Sequence, residues 1–90
     1  MTTGRRIKLN NGVVYEDGKC GYADGFLWCY IEDQSIQDIA LVFLDKEATK
    51  RIEFEYGTMK DTYIGFTEVF SFQTQDSGCS VCMTRPTVEA

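Results

Sequence analysis

Arg51-Ile52-Glu53-Phe54-Glu55-Tyr56 alternates charged and apolar residues without a fault. Neighbouring side chains of an extended chain point to opposite faces. This stretch can therefore bury Ile52, Phe54 and Tyr56 together only as a strand on a core, with its charges in water. Arg5 to Leu9 repeats the pattern, with Ile7 and Leu9 on one face and Arg6 and Lys8 on the other. Asn11-Gly12 follows and tolerates the positive φ of a tight turn, which predicts a hairpin into a second strand over Val13 to Glu16.

Asp17-Gly18, Cys20-Gly21-Tyr22 and Asp24-Gly25 read as turn punctuation before the apolar run Phe26-Leu27-Trp28-Cys29-Tyr30-Ile31. That run is short for a helix, and its aromatic side chains suit a pleated surface. It predicts a strand buried on both faces. At Ser35 the period changes. Ser35-Ile36-Gln37-Asp38 resembles a capping box with Asp in place of Glu, and Ile36, Ile39, Ala40 and Phe43 recur at helical spacing, with Leu44 extending the stripe. A helix is expected over about residues 35–44, with a further turn over Asp45 to Thr49. Glu32 and Asp33 place negative charge near its N-terminus, where the helix dipole favours it.

Beyond the Arg51–Tyr56 strand, Gly57 to Asp61 reads as a turn. Thr62 to Thr74 reads as one long strand with Ile64, Phe66, Phe70 and Phe72 on a shared face and a bulge at Gly65. Gln75 to Gly78 turns the chain into a last strand from Cys79 to Thr84, which Pro86 ends. These elements predict a β-rich α+β fold of about six mostly antiparallel strands with one central helix. The helix is expected to lie on one face of a small sheet or to close a small sandwich or partly open barrel. Residues 1–90 make one domain, with 1–4 and 86–90 expected as frayed ends.

A net charge of −5 opposes attraction to phosphate backbones and anionic lipid surfaces, so neither nucleic acid nor membrane is an expected partner. Arg5, Arg6 and Lys8 read as a solvated strand end. No apolar run of signal-peptide length follows Met1, which predicts that the chain stays where it is made. It has no histidine, which removes the usual general base and any Ser-His or Cys-His nucleophile pair. Glu53 and Glu55 share a strand face and could serve acid–base chemistry in a cleft, yet their place opposite Ile52, Phe54 and Tyr56 marks them as the solvated side of an amphipathic strand. The glycines stand at turns and show no phosphate-loop spacing, so no cofactor is expected.

Four cysteines, spaced Cys20-x8-Cys29 and Cys79-x2-Cys82, leave three readings. They are reduced thiols packed as small hydrophobes, a disulfide, or a zinc-binding module in which Cys79 and Cys82 supply half of a ligand motif. Extended chain puts Cys79 and Cys82 on opposite faces, which argues against a shared metal. The aromatics Tyr22, Trp28, Tyr30, Tyr56, Tyr63 and Phe66 exceed what so small a core is expected to bury, and they are the candidate interaction residues.

Asn-Asn-Gly at Asn10 to Gly12, Gly-Tyr-Ala-Asp-Gly-Phe-Leu-Trp at Gly21 to Trp28, Arg-Ile-Glu-Phe-Glu-Tyr-Gly at Arg51 to Gly57 and Tyr-Ile-Gly-Phe-Thr at Tyr63 to Thr67 occur in this order. Together they resemble small phage- and prophage-encoded proteins of Gram-positive bacteria, often from tail-region genes. The resemblance implies a non-enzymatic protein that acts through its surface on a protein partner, either itself as a homo-oligomer or another phage or host protein. One implied role is an accessory or assembly piece of the virion. The other is a small inhibitor of a host factor such as an anti-phage defence protein, to which an acidic body suits capture of a basic surface. Either places the chain in the bacterial host cytoplasm or in the assembled particle.

Overall fold

The N-terminal alternation pairs as its pattern requires in the computed structural model, which describes residues 5–87. Strand β1 (Arg5–Leu9) runs antiparallel to β2 (Val14–Glu16) on one side and to β5 (Arg51–Tyr56) on the other. The β1–β5 register sets Arg6 opposite Glu55 and Lys8 opposite Glu53, so the outward charges are complementary, while Ile7 and Leu9 meet Phe54 and Ile52 on the inner face. In the β1–β2 loop only Gly12 takes a positive φ, and Asn11 instead accepts a hydrogen bond from the Val13 amide through its side chain. Gly57 and Thr58 turn β5 into β6 (Met59–Ile64), completing a first sheet of order β2-β1-β5-β6.

A second four-stranded antiparallel sheet has the order β3-β4-β8-β7, with β3 (Gly18–Ala23), β4 (Phe26–Glu32), β7 (Glu68–Gln75) and β8 (Gly78–Thr84). Among the described residues the count is thus eight strands rather than six, and two segments account for the difference. Residues Gly18 to Ala23, expected as turns, form an edge strand. Asp24 and Gly25, both at positive φ, make the tight turn into β4. The expected long strand Thr62 to Thr74 is two strands in different sheets, parted at Gly65, whose φ of +85° is open to a residue without Cβ. Ile64 and Phe70 therefore point to solvent, Phe66 is buried in the connection, and the bulge falls between Val69 and Ser71.

The helix α1 (Ile36–Phe43) begins where its cap predicts: Ser35 Oγ accepts from the Asp38 amide at 3.2 Å. It packs against β7 and β8. Its buried stripe is narrower than the spacing suggests. Ile39 and Phe43 are buried, whereas Ile36 and Leu44 are exposed and Ala40 is intermediate. Eight residues give just over two turns, too few for a wide apolar face to be covered from end to end. Among the described residues no helix is long and apolar enough to cross a membrane.

One core joins the two sheets and the helix. It contains Ile7, Leu9, Ile52 and Phe54 from the first sheet, Leu27, Cys29, Ile31, Cys79, Val81 and Met83 from the second, and Ile39, Phe43, Ala48 and Phe66 from α1 and the connections. Strand β4 is not buried on both faces. Leu27, Cys29 and Ile31 point inward, whereas on the other face Trp28 is 41% exposed and Phe26 and Tyr30 are only partly buried. Of the expected frayed ends at 1–4 and 86–90, residues 1–4 and 88–90 lie outside the described residues, and Pro86 and Thr87 follow β8 as irregular chain.

Gly78 sits where β8 closes on β4. A Cβ there would meet the Ile31 carbonyl oxygen, with the Tyr30 hydroxyl 2.9 Å and Glu32 Cα 3.0 Å away, whereas a Cβ at Gly21 meets nothing within 4 Å. Gly78→Ala is expected to destabilise by about 1–3 kcal/mol, and Gly21→Ala to stay within about 0.5 kcal/mol of the parent, read as midpoint shifts in urea unfolding. Thr49 is fully buried, and its hydroxyl has no hydrogen-bond partner among the described residues. Replacing it with Val in the same assay should stabilise by about 1 kcal/mol, since a desolvated, unpaired hydroxyl is removed.

Candidate interaction surface

The six candidate aromatics do not form one patch. Tyr22, on the edge strand β3, stacks on Tyr63 of the edge strand β6 at 6.4 Å, and both meet the Phe66 ring edge-on at 5.6 and 6.3 Å. The Arg85 guanidinium lies 4.4 Å from the Phe66 centroid, and its Nε donates to the Ile64 carbonyl. This cluster bridges the two sheets at their rim. Phe66 is buried within it and presents no surface, while Tyr22 stays half-exposed. Tyr56 stacks on Phe54 at 4.8 Å and donates its hydroxyl hydrogen bond to Asp61 at 3.0 Å, so it too closes the core's edge.

Trp28 and Tyr30 stand apart from these, on the outer face of the second sheet. Trp28 lies beside Phe26 at 6.0 Å, and Phe26 meets Phe70 edge-on at 5.3 Å. Phe70 is 68% exposed. Cys82, in register with Trp28, is buried yet lies outside the core cluster. Polar groups bound the patch: Tyr30 donates to the Gln75 carbonyl, and Ser77 donates to Glu32 at 2.6 Å. Phe26 and Phe70 were not among the sequence candidates. Phe26 was legible, since it shares with Trp28 the face opposite Leu27 and Cys29. Phe70 was not, because the bulge beside it sets its direction.

The opposite side of the molecule is charged and self-satisfied. Arg6 binds Glu55 at 2.6 Å, and Glu53 is held by Arg51 at 3.0 Å and approached by Lys60 at 3.8 Å. Glu53 and Glu55 are thus engaged by cations on an open sheet face. The cysteines do not converge either. Cys20 and Cys29 face each other, while Cys79 points into the core and Cys82 out of it. Among the described residues no group of three or more His, Cys, Asp or Glu side chains could hold a metal ion. A hydrogen bond with Cys20 and full burial push the Cys29 thiol well up, and burial raises those of Cys79 and Cys82. The thiolate, the reactive form, is disfavoured at all three.

Burial, then the nearby Asp61 carboxylate, pushes the Tyr63 phenol up to about 12 from an ordinary value of 10.0. The folded state therefore holds this proton in a range where the unfolded chain releases it. The stability that Tyr63 contributes is complete below pH 10 and is lost as pH rises from 10 toward 12. Tyr63→Phe is expected to flatten the fall in stability across that window, measured by urea unfolding at stepped pH. In the parent, tyrosinate absorbance should show a phenol titrating at the top of the same range. Compared with protein-family models, curated proteins and solved structures, the chain matches none.

Proposed function

We propose that this chain is a non-enzymatic protein–protein interaction module of phage or prophage origin, an accessory or assembly piece of the virion, and that the outer face of the second sheet is its docking surface. The observation that carries the reading is the exposure of Trp28 and Phe70, linked through the partly buried Phe26, across β4 and β7. Large aromatics rimmed by polar groups are the usual make-up of an interface centre, and Trp is prominent among residues whose truncation costs most. The resemblance to tail-region proteins supplies the context. A net charge of −5 also suits the second role, capture of a basic host protein by a small inhibitor, through electrostatic complementarity.

Purified particles and a host lysate separate the two roles. Abundant chain in particles, found by mass spectrometry, supports the virion role, and its absence there with a host protein captured in pull-down supports the inhibitor. A strict monomer in light scattering that captures nothing from either source overturns both. Where a partner is found, Trp28→Ala and Phe70→Ser are each expected to weaken binding by about 30-fold, the scale of a 2 kcal/mol anchor. The unfolding midpoint should shift little for Phe70→Ser, whose side chain is largely in water, and fall measurably for Trp28→Ala, whose side chain is more than half buried, so binding is compared where both variants are folded.

A further inference from the structure

Cys20 and Cys29 are directly opposite each other in the antiparallel β3–β4 hairpin, and their sulfurs are 3.5 Å apart. Opposed residues of an antiparallel pair have Cα atoms about 4.5–5.5 Å apart, inside the range that disulfides occupy. Opposed Cβ atoms stand about 4.5–5.5 Å apart and a disulfide takes about 3.5–4.5 Å, so closing to a bond of about 2.0 Å takes side-chain rotation and a small approach of the two strands. Access differs between the two. Cys29 is fully buried on the core side, while Cys20 lies on the sheet's edge strand and is partly exposed. The other two cysteines lack such a partner geometry, since Cys79 and Cys82 occupy opposite faces of β8.

We propose that Cys20 and Cys29 are a dithiol modification site that closes to a cross-strand disulfide on meeting a small disulfide oxidant such as oxidised glutathione. Cys20 gives its proton to solvent and attacks one glutathione sulfur. The glutathione S–S bond breaks, one glutathione leaves as thiolate, and Cys20 carries the other as a mixed disulfide. Cys29 then gives up its proton and attacks the Cys20 sulfur, the mixed disulfide breaks, and the second glutathione leaves. Two protein thiols are oxidised and one glutathione disulfide is reduced to two thiols, which take up the two protons. The product ties edge strand β3 to β4 behind the Asp24-Gly25 turn, at the foot of the Tyr22–Tyr63 rim.

The test treats the folded chain with oxidised glutathione, counts free thiols and maps the product. Free thiols are expected to fall from the four of the sequence to two. Chymotrypsin, cutting after Tyr22, Phe26 and Trp28, should leave a linked peptide pair containing Cys20 and Cys29. The oxidised form should melt on the order of 10 °C higher than the reduced form, since a short loop is closed in the unfolded chain. Cys20→Ser, at the more accessible position, should keep all its remaining thiols under the same treatment. Four persisting thiols, a stable glutathione adduct on Cys20, linkage through Cys79 or Cys82, or thiol loss in Cys20→Ser would each overturn the proposal.

Discussion

Ile7 occupies the space that a side chain at residue 18 would need. A Cβ on Gly18 would stand 2.6 Å from Ile7 Cδ1 and 2.9 Å from Cγ1, so the absence of a side chain at residue 18 lets β3 approach β1 with Ile7 left in place. Asp17, at a φ of +60°, then suffices to turn the chain out of the first sheet and into the second. Aspartate tolerates that left-handed conformation better than most residues. From this corner the rest follows. With β3 placed across β1, the β3–β4 hairpin directs Leu27, Cys29 and Ile31 onto Leu9, Ile52 and Phe54, and each sheet covers the other's apolar face. Fully burying each large apolar side chain contributes roughly 1.5–3 kcal/mol, so alignment of the two faces outweighs any one hairpin's local preference.

Where one residue type settled the backbone, the fold was legible. The alternation of Arg51 to Tyr56, the turn glycines at 12 and 25 and the cap at Ser35 all act locally and all stand where sequence patterning places them. What escaped was long-range. Gly65 looks the same in sequence whether it marks a bulge within a strand or a break between sheets. The difference is made by the Gly65 amide bonding to the Lys50 carbonyl and by Arg85 bonding to the Ile64 carbonyl, partners 15 and 21 residues away. Gly18 to Ala23 has too few apolar residues to read as a strand, and it is one because β4 offers it a full ladder.

The candidate site was legible by half, for a related reason. A surplus of aromatics can be counted from a sequence, but whether a ring closes a core or faces water depends on what lies over it. Tyr22, Tyr63 and Phe66 come from three separate elements and find one another at the rim. Trp28 finds only Phe26, and through it Phe70. Burial of Phe26 to Ile31 on both faces would require a covering layer. The helix that could have supplied one packs its Ile39 and Phe43 into the core instead, where Phe43 stacks on Tyr15 at 6.1 Å.

The two outer faces therefore present opposite solutions to the same problem. On the first sheet, the outward positions of β1 and β5 carry Arg6, Lys8, Glu53 and Glu55, which water solvates; Arg6 pairs with Glu55 across the strands, and Glu53 is met by Arg51 and Lys60. At the corresponding outward positions of the second sheet stand Phe26, Trp28 and Phe70. Within the monomer, cross-strand and neighbouring aromatic contacts of this kind contribute about 0.2–1 kcal/mol each. Taking the same rings fully out of water would contribute roughly 1.5–3 kcal/mol each. Because Phe70 is 68% and Trp28 41% exposed, the described fold leaves part of that burial energy unused. The two faces therefore differ in kind: one sets charges in water and pairs Arg6 with Glu55, and the other sets Trp28 and Phe70 partly in water.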